Sequence, residues 1–354
     1  MRVLVTGATG NVGTAVLRAL AADDEVQEIV GVARRAPSTS APKVRWAAAD
    51  VRSDELDRLM EGVDGVVHLA WLIQPSRDRA TLKAVNVDGS RRVFDAARRA
   101  GVRVLVHASS VGTYAAGPKD RRVDESWPAT GVRSSSYARD KAACERMLDD
   151  LERDAPELRV VRLRPGLIFQ RAAASEIRRF FVGPLLPGFL LRRELVPVVP
   201  KNPRLAFQAV HSDDVGEAYR LALRDDGARG AYNVAAEPVI DGAALGRMLG
   251  ARPVPVPGAL LRLGADLSWR ARLQPTDPGW VDLGLGVPLM DIRRAREELG
   301  WSPSRSAQDA FLELFEGLRE GAGHPTPPLD PQAGGPGRAR EVLSGIGGSG
   351  EPRR

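Results

Sequence analysis

The sequence predicts an α/β fold, a doubly wound parallel sheet with a smaller, irregular C-terminal lobe. Three observations predict it. Short β-rich runs alternate with helical periodicity through the first half of the chain. A glycine-rich turn follows the first of those runs. The second half loses the alternation and is broken repeatedly by Pro and Gly.

Residues 2–5 read as the first strand and 12–22 as a helix. Strands follow at 28–33 and 44–48, then a helix at 53–60 with Ser53 or Asp54 as its cap. Residues 65–69 are a strand, 85–100 a long helix, 102–108 a strand, 137–150 a helix and 159–163 a strand. Beyond, 166–203 is rich in Pro, Leu and Phe without a period. Residues 206–210 look extended, 213–223 helical and 230–234 extended again. Residues 253–288 are apolar but punctuated, and 292–299 and 307–316 read as helices. From 321 the chain is Pro/Gly-rich and expected to be disordered. The expected units are 1–165 with 206–235 returning to the sheet, a substrate lobe of 166–205 and 236–320, and a tail of 321–354.

The bulk numbers narrow the class. The chain has 354 residues, net charge +6, 43% hydrophobic and 27% charged residues, which is ordinary for a globular protein. Its arginines are scattered among acids, without a basic stripe, so no nucleic-acid partner is expected. The apolar stretch at 180–200 is broken by Pro184, Pro187, Arg192, Arg193 and Glu194, so no membrane span is expected. A single cysteine, Cys144, allows no internal disulfide and fits a reducing, cytoplasmic setting. Four dispersed histidines give no metal-site spacing.

Four signals carry chemistry. The first is Thr6-Gly7-Ala8-Thr9-Gly10-Asn11-Val12-Gly13, between a strand and a helix. Gly7 permits the turn, Gly10 lets a pyrophosphate approach the backbone, and Gly13 lets helix pack on sheet, so the sheet is of the Rossmann type and binds a dinucleotide. The second is Arg34-Arg35 at the end of the second strand. An acid there would bind a ribose hydroxyl, whereas guanidinium pairs with phosphate, so NADP is favoured over NAD. The third is Tyr137 with Lys141, four residues apart on one helix face. A free tyrosine, pKa ~10, is a poor base at neutral pH, and an adjacent ammonium lowers that value. The fourth is Ser109-Ser110 at the end of the 102–108 strand, where ligands of such sheets bind.

Further motifs complete an ordered set: Asp50-Val51, His68-Leu69-Ala70, Asn86-Val87-Asp88-Gly89, Arg164-Pro165-Gly166, His211-Ser212-Asp213-Asp214-Val215, Tyr232-Asn233-Val234 and Leu299-Gly300-Trp301-Ser302-Pro303. The set resembles the extended short-chain dehydrogenase/reductases, the NAD-dependent epimerase/dehydratase family, over residues 1–303 and most strongly before Gly166. The resemblance implies hydride transfer at nicotinamide C4 with Tyr137 as general acid/base. It makes Lys141 the residue that orients the ribose and lowers the Tyr137 pKa, and Ser110 the serine of the set, with Ser109 supporting the turn. Asp50 would contact adenine, and Val51, Leu69, Ala70, Trp71, Asn86, Pro165 and Gly166 would line the cofactor. Dimerisation through two helices per subunit is implied as well.

The chain also departs from the pattern. Members acting on sugar nucleotides carry an Arg where this chain has Phe207, and 167–170 lacks the Asn expected beside a nucleotide base. Arg192, Arg193 and Arg204 are the candidates to replace that Arg. Trp71 stands where a small residue is usual and would either narrow the cofactor pocket or simply fill a gap. The lobe carries Phe180, Phe181, Leu185, Leu186, Phe189, Trp269 and Trp280. These features favour a small, rather apolar carbonyl or alcohol substrate. The alternatives are a nucleotide-sugar epimerase or dehydratase with tightly held NAD, and a non-catalytic dinucleotide-binding regulator. His68 and His211 read as structural, and Asp124-Glu125 as a solvated turn.

Overall fold

The computed structural model describes residues 1–37, 40–73, 76–178, 196–274 and 276–331. Strand β1 (Arg2–Thr6) runs through the glycine turn into α1 (Asn11–Ala21), then β2 (Glu28–Ala33) and β3 (Val44–Ala48). Helix α2 (Asp57–Met60) leads to β4 (Gly65–His68). Helix α3 (Arg79–Lys83), a π turn (Ala84–Gly89) and α4 (Ser90–Arg99) form one helical run. Next come β5 (Val104–Ala108), a 3-10 turn (Val111–Thr113), β6 (Arg122–Val123), α5 (Ser136–Asp154) and β7 (Arg159–Pro165). The remainder holds β8 (Leu167–Phe169), α6 (Ala174–Ile177), β9 (Val198–Lys201), β10 (Ala209–His211), α7 (Ser212–Arg224) and β11 (Gly230–Val234). It continues with α8 (Gly242–Leu249), β12 (Arg252–Pro255), α9 (Gly258–Arg270), α10 (Pro278–Gly286), β13 (Leu289–Met290), α11 (Arg293–Glu298) and α12 (Ala307–Glu320).

Seven strands make one parallel sheet in the order β3-β2-β1-β4-β5-β7-β11. Both faces are covered, which is why its strands read as nearly continuous Val, Leu and Ile. Val3 and Val5 face a core with Val16, Leu20, Tyr219 and Trp301, while Leu4 faces the opposite core with Phe94, Leu105 and Leu148. The strand order reverses between β1 and β4, so a crevice opens beyond their carboxyl ends. Three parallel two-stranded ribbons, β8–β10, β9–β12 and β6–β13, organise the rest.

Several boundaries differ from the sequence reading. The 53–60 helix shrinks to α2, without a side-chain cap, because Ser53 and Asp54 fold back on Asp50 through their backbone N–H groups. The 85–100 helix begins earlier, where Asp78 caps α3 by accepting from Thr81 N–H. The punctuated 253–288 stretch holds two helices, α9 and α10. Residues 321–331 are not structureless: Leu329 is wholly buried, and the Thr326 hydroxyl donates to the Thr9 carbonyl at 2.9 Å. Residues 332–354 and the apolar residues Phe180, Phe181, Leu185, Leu186 and Phe189, with Arg192 and Arg193, lie outside the described residues.

Candidate active site

The dinucleotide side is built from backbone. Gly7 has φ +67°, and a Cβ there would lie 2.7 Å from the Leu69 carbonyl carbon. A Cβ on Gly13 would overlap the Gly7 carbonyl. Gly10 is different: a Cβ would meet only Gly7 O at 3.5 Å, so space in front of it is open. Helix α1 starts at Gly10 with no side-chain cap, whereas Ser135, Asp241 and Ser306 cap α5, α8 and α12. Its first-turn N–H groups, from Asn11, Val12 and Gly13, therefore face an open cradle suited to a pyrophosphate.

Polar side chains fix the loops around that cradle. Thr6 Oγ1 accepts from Leu69 and Ala70 N–H, both at 3.2 Å, and donates to His68 Nδ1 at 2.7 Å. His68 Nε2 donates to Ser90 Oγ at 2.9 Å, and Ser90 donates to Asn86 O at 2.6 Å. Burial, aided by the Lys141 charge, pulls the His68 pKa down to about 3, so the ring is neutral. Asn86 brackets Leu72, accepting from its N–H at 2.7 Å and donating to its carbonyl at 3.0 Å. The Asn11 side chain is likewise committed, to Ile168, Gln170 and Ser212. Both amides hold the backbone of the loops around the cradle.

The other cofactor candidates are distributed around the sheet edge. Arg34 and Arg35 are exposed just past β2. The Asp50 carboxylate is held by Arg52, with hydrogen bonds of 2.7–3.1 Å, and Val51 is buried against Gly89. Pro165 ends β7, and Gly166 packs so tightly on Gln208 that a Cβ would meet its carbonyl at 2.5 Å.

Ser110, Tyr137 and Lys141 converge beyond β5. Ser110 Oγ accepts from Gly112 N–H at 3.0 Å, leaving its hydroxyl to donate to the Tyr137 phenol. Gly112 is required here, because a Cβ would lie 2.8 Å from Tyr137 Cε1. Burial pushes Tyr137 up to about 12, with the Ser110 bond opposing. The expected lowering by Lys141 is absent in this arrangement. Lys141 Nζ donates to Ala108 O at 2.6 Å and sits 3.5 Å over the Trp71 ring, but 6.0 Å from the Tyr137 ring centre. Burial pulls Lys141 itself down to about 7, against the nearby Cys144, Glu145 and Asp140.

A buried network supports the strand ends. Ser109 donates to Glu145 Oε1 at 2.5 Å, and Arg164 grips both Glu145 oxygens at 2.9 Å. Burial pushes the Glu145 pKa up, but Arg164 and Arg162 outweigh it and hold the carboxyl below its usual range. Arg164 also donates to Tyr114, which donates to Asn233 Oδ1 at 2.6 Å. Glu125 is part of this frame, accepting from Asn233 N–H at 2.7 Å, not a solvated turn residue. His211 caps α7 and is buried.

The substrate side is aromatic. Tyr137 lies between two indoles, Trp71 edge-on at 6.0 Å and Trp280 tilted at 5.2 Å. Trp71 Nε1 is buried without a hydrogen-bond partner. Leu72, Ile73 and Leu82 line the same cleft, with the ion pair of Arg79 and Asp140 at 3.0 Å. That ion pair escaped sequence reading, since the two residues are 61 positions apart. Phe207 is partly buried and bridges Ile240, while Arg204 is spent on the Leu285 and Gly117 carbonyls.

Comparison with known proteins follows the same lines. The sequence model of the NAD dependent epimerase/dehydratase family matches residues 3–235. An uncharacterized protein of Mycobacterium tuberculosis is 28% identical over 329 residues, 89% of this chain and 83% of its own length. Sterol demethylase protein B of Methylococcus capsulatus is 36% identical over 151 residues, 41% of this chain and 45% of that protein. The decarboxylating sterol-4-alpha-carboxylate 3-dehydrogenase of Saccharomyces cerevisiae is 36% identical over 85 residues, 24% of each chain. Among solved structures, UDP-glucose 4-epimerase of Thermus thermophilus with NAD has TM-score 0.66 at 23% identity, covering 90% of this chain and 99% of that one. The dTDP-glucose 4,6-dehydratase of Streptomyces venezuelae, with NAD bound, has TM-score 0.67 at 22% identity, covering 90% and 97%. At those identities the structures speak for the fold.

Proposed function

Because the chain belongs to the NAD-dependent epimerase/dehydratase family and is an NAD(P)-dependent enzyme, we propose that it oxidises or reduces an apolar, ring-bearing alcohol or ketone. The observation that carries this reading is the pair of indoles around Tyr137. A hydrocarbon ring packs favourably against the aromatic wall that these rings build, whereas a sugar diphosphate needs cations that the cleft does not offer at Phe207 or Arg204. Two of the relatives are named for sterol chemistry, which fits the same class.

A bound nicotinamide dinucleotide supplies the hydride acceptor or donor. The chain's own residues do the rest. The α1 N-terminus and Gly10 would hold the pyrophosphate, and Arg34 with Arg35 would favour a 2′-phosphate, hence NADP over NAD. Tyr137 moves the proton at the substrate oxygen, and Ser110 holds that oxygen and the phenol in register. Lys141 is one helical turn from Tyr137, positioned to meet a ribose hydroxyl once its ammonium leaves the Trp71 face. The two indoles exclude water from the reacting atoms. The single, buried Cys144 fits a cytoplasmic setting, and a homodimer through α4 and α5 accompanies this reading.

The test is turnover of a panel of ring ketones, ring alcohols and nucleotide sugars with NADPH or NADP, alongside Tyr137→Phe. Expected is turnover of the ring compounds, reduced about a thousandfold by Tyr137→Phe with cofactor affinity unchanged. Epimerised or dehydrated nucleotide sugar, formed with a retained NAD, would overturn the reading. A Tyr137→Phe protein with full biological function and no turnover in the parent would favour a regulator instead.

A further inference from the structure

Eight large apolar side chains are exposed among the described residues, and they are not scattered. Leu260, Leu263 and Leu267 lie on α9, with exposures of 57%, 50% and 58%, and Leu273 follows just beyond it. Val198 and Val254 lie on β9 and β12, the ribbon that leads directly into α9. Ile73 lies on the rim of the catalytic cleft. Only Leu167 stands elsewhere. Spacings of three and four put the α9 leucines on one stripe, and α9 has no buried residue at all. An exposed apolar stripe of this kind marks a contact surface.

The surroundings identify the occupant. Residues 252–274 carry four arginines against one aspartate; Arg262 and Arg270 are paired with Asp282 and Asp266, each at 3.0 Å, so Arg252 and Arg272 supply the excess positive charge. Arg270 is three residues from Leu267, at the edge of the stripe. Trp269 closes the end of the helix, with the Arg77 guanidinium stacked 3.9 Å over its ring. A second copy placed on this face would meet the same excess of positive charge across a two-fold axis, which disfavours it. An anionic surface of lipid is complementary in both respects, apolar stripe and flanking cations. No helix among the described residues is long and apolar enough to cross a membrane, so the contact is with a surface. The face also adjoins the cleft: Arg262 pairs with Asp282 of α10 at 3.0 Å, and α10 carries Trp280 beside Tyr137.

We propose that α9 and the β9–β12 ribbon form a docking face for an anionic lipid surface, which holds the mouth of the cleft against the bilayer. The consequence for catalysis, delivery of an apolar substrate from lipid to Tyr137, rests on the substrate class proposed above; the docking itself does not.

The experiment is sedimentation of the full chain with vesicles of phosphatidylglycerol and phosphatidylcholine, against phosphatidylcholine alone. The protein should pellet with the anionic vesicles and be released by added salt. The double variant Leu263→Glu, Leu267→Glu should weaken that binding by roughly a hundredfold with an unchanged melting temperature, since both positions are exposed. Arg272→Gln should weaken it by about fivefold on anionic vesicles only. Activity on a water-soluble ketone should be unchanged in both. Absence of pelleting, or variants that pellet like the parent, would overturn the proposal. So would concentration-dependent self-association that the leucine changes abolish, which would assign the face to a second copy. A chain that pellets, loses pelleting in the variants and yet turns over no ring compound keeps the docking face and sinks the substrate class.

Discussion

The two halves of the catalytic cleft are held by different means. The dinucleotide half depends on atoms that are missing: Gly7 and Gly13 have no room for a Cβ, and Gly10 leaves open the space a phosphate would enter. Its donors are main-chain N–H groups at the start of α1. The substrate half depends on atoms that are present, the rings of Trp71, Tyr137 and Trp280. Backbone geometry tolerates no partial substitution, whereas ring contacts can be removed one at a time. Change in the first half should therefore be all-or-none, and change in the second graded.

The largest effect should come from Gly13→Ala. The added methyl would collide with the Gly7 carbonyl and the Ala8 backbone, none of which is a flexible end. Dinucleotide affinity measured by calorimetry should fall by at least about a hundredfold, with a destabilisation of about 1–3 kcal/mol in melting experiments. Trp280→Ala should behave oppositely. It should leave dinucleotide affinity alone and raise KM for a ring substrate about tenfold, because it removes an aromatic face of the substrate half. Equal losses of cofactor binding in both variants would break the division between the halves. Arg34→Ala sharpens it from the cofactor side: NADPH affinity should drop about tenfold and NADH affinity should stay.

The same division explains what was readable in the sequence. The glycine turn, the strands of the sheet and the Tyr137–Lys141 pair announce themselves by local spacing, and the structure places the pair and Ser110 at one sheet edge. Helix α9 was hidden because Pro253, Pro255, Pro257, Gly258 and Gly264 interrupt the pattern, and because a helix that buries nothing has no core-facing period to detect. The packing of 321–331 was hidden for another reason. Composition predicts disorder there, yet Leu329 is buried, Thr326 donates to Thr9 of the glycine turn and Ser175 donates to Ala322, contacts far apart in sequence. The roles of Asn11 and Asn86 depend on Ile168 and Leu72, partners 157 and 14 positions away, which no local spacing reveals.

Lys141 lies where the two halves meet, and its charge offers the finest test. Burial pulls its pKa from 10.5 to about 7 in the folded chain, although Cys144, Glu145 and Asp140 act to raise it. Below about pH 7 the folded and unfolded chains both carry the proton, and the fold bears the cost of a buried ammonium. Between there and the unfolded value the unfolded chain binds a proton that the folded chain has released, so stability rises with pH across this window. Lys141→Met keeps the volume and removes the titration. Without cofactor, the variant should melt about 2–4 °C higher than the parent near pH ~6, and the gap should close towards pH ~10. A gap independent of pH would mean that Lys141 stays charged in the fold, held by the Trp71 face and the Ala108 carbonyl strongly enough to offset its burial.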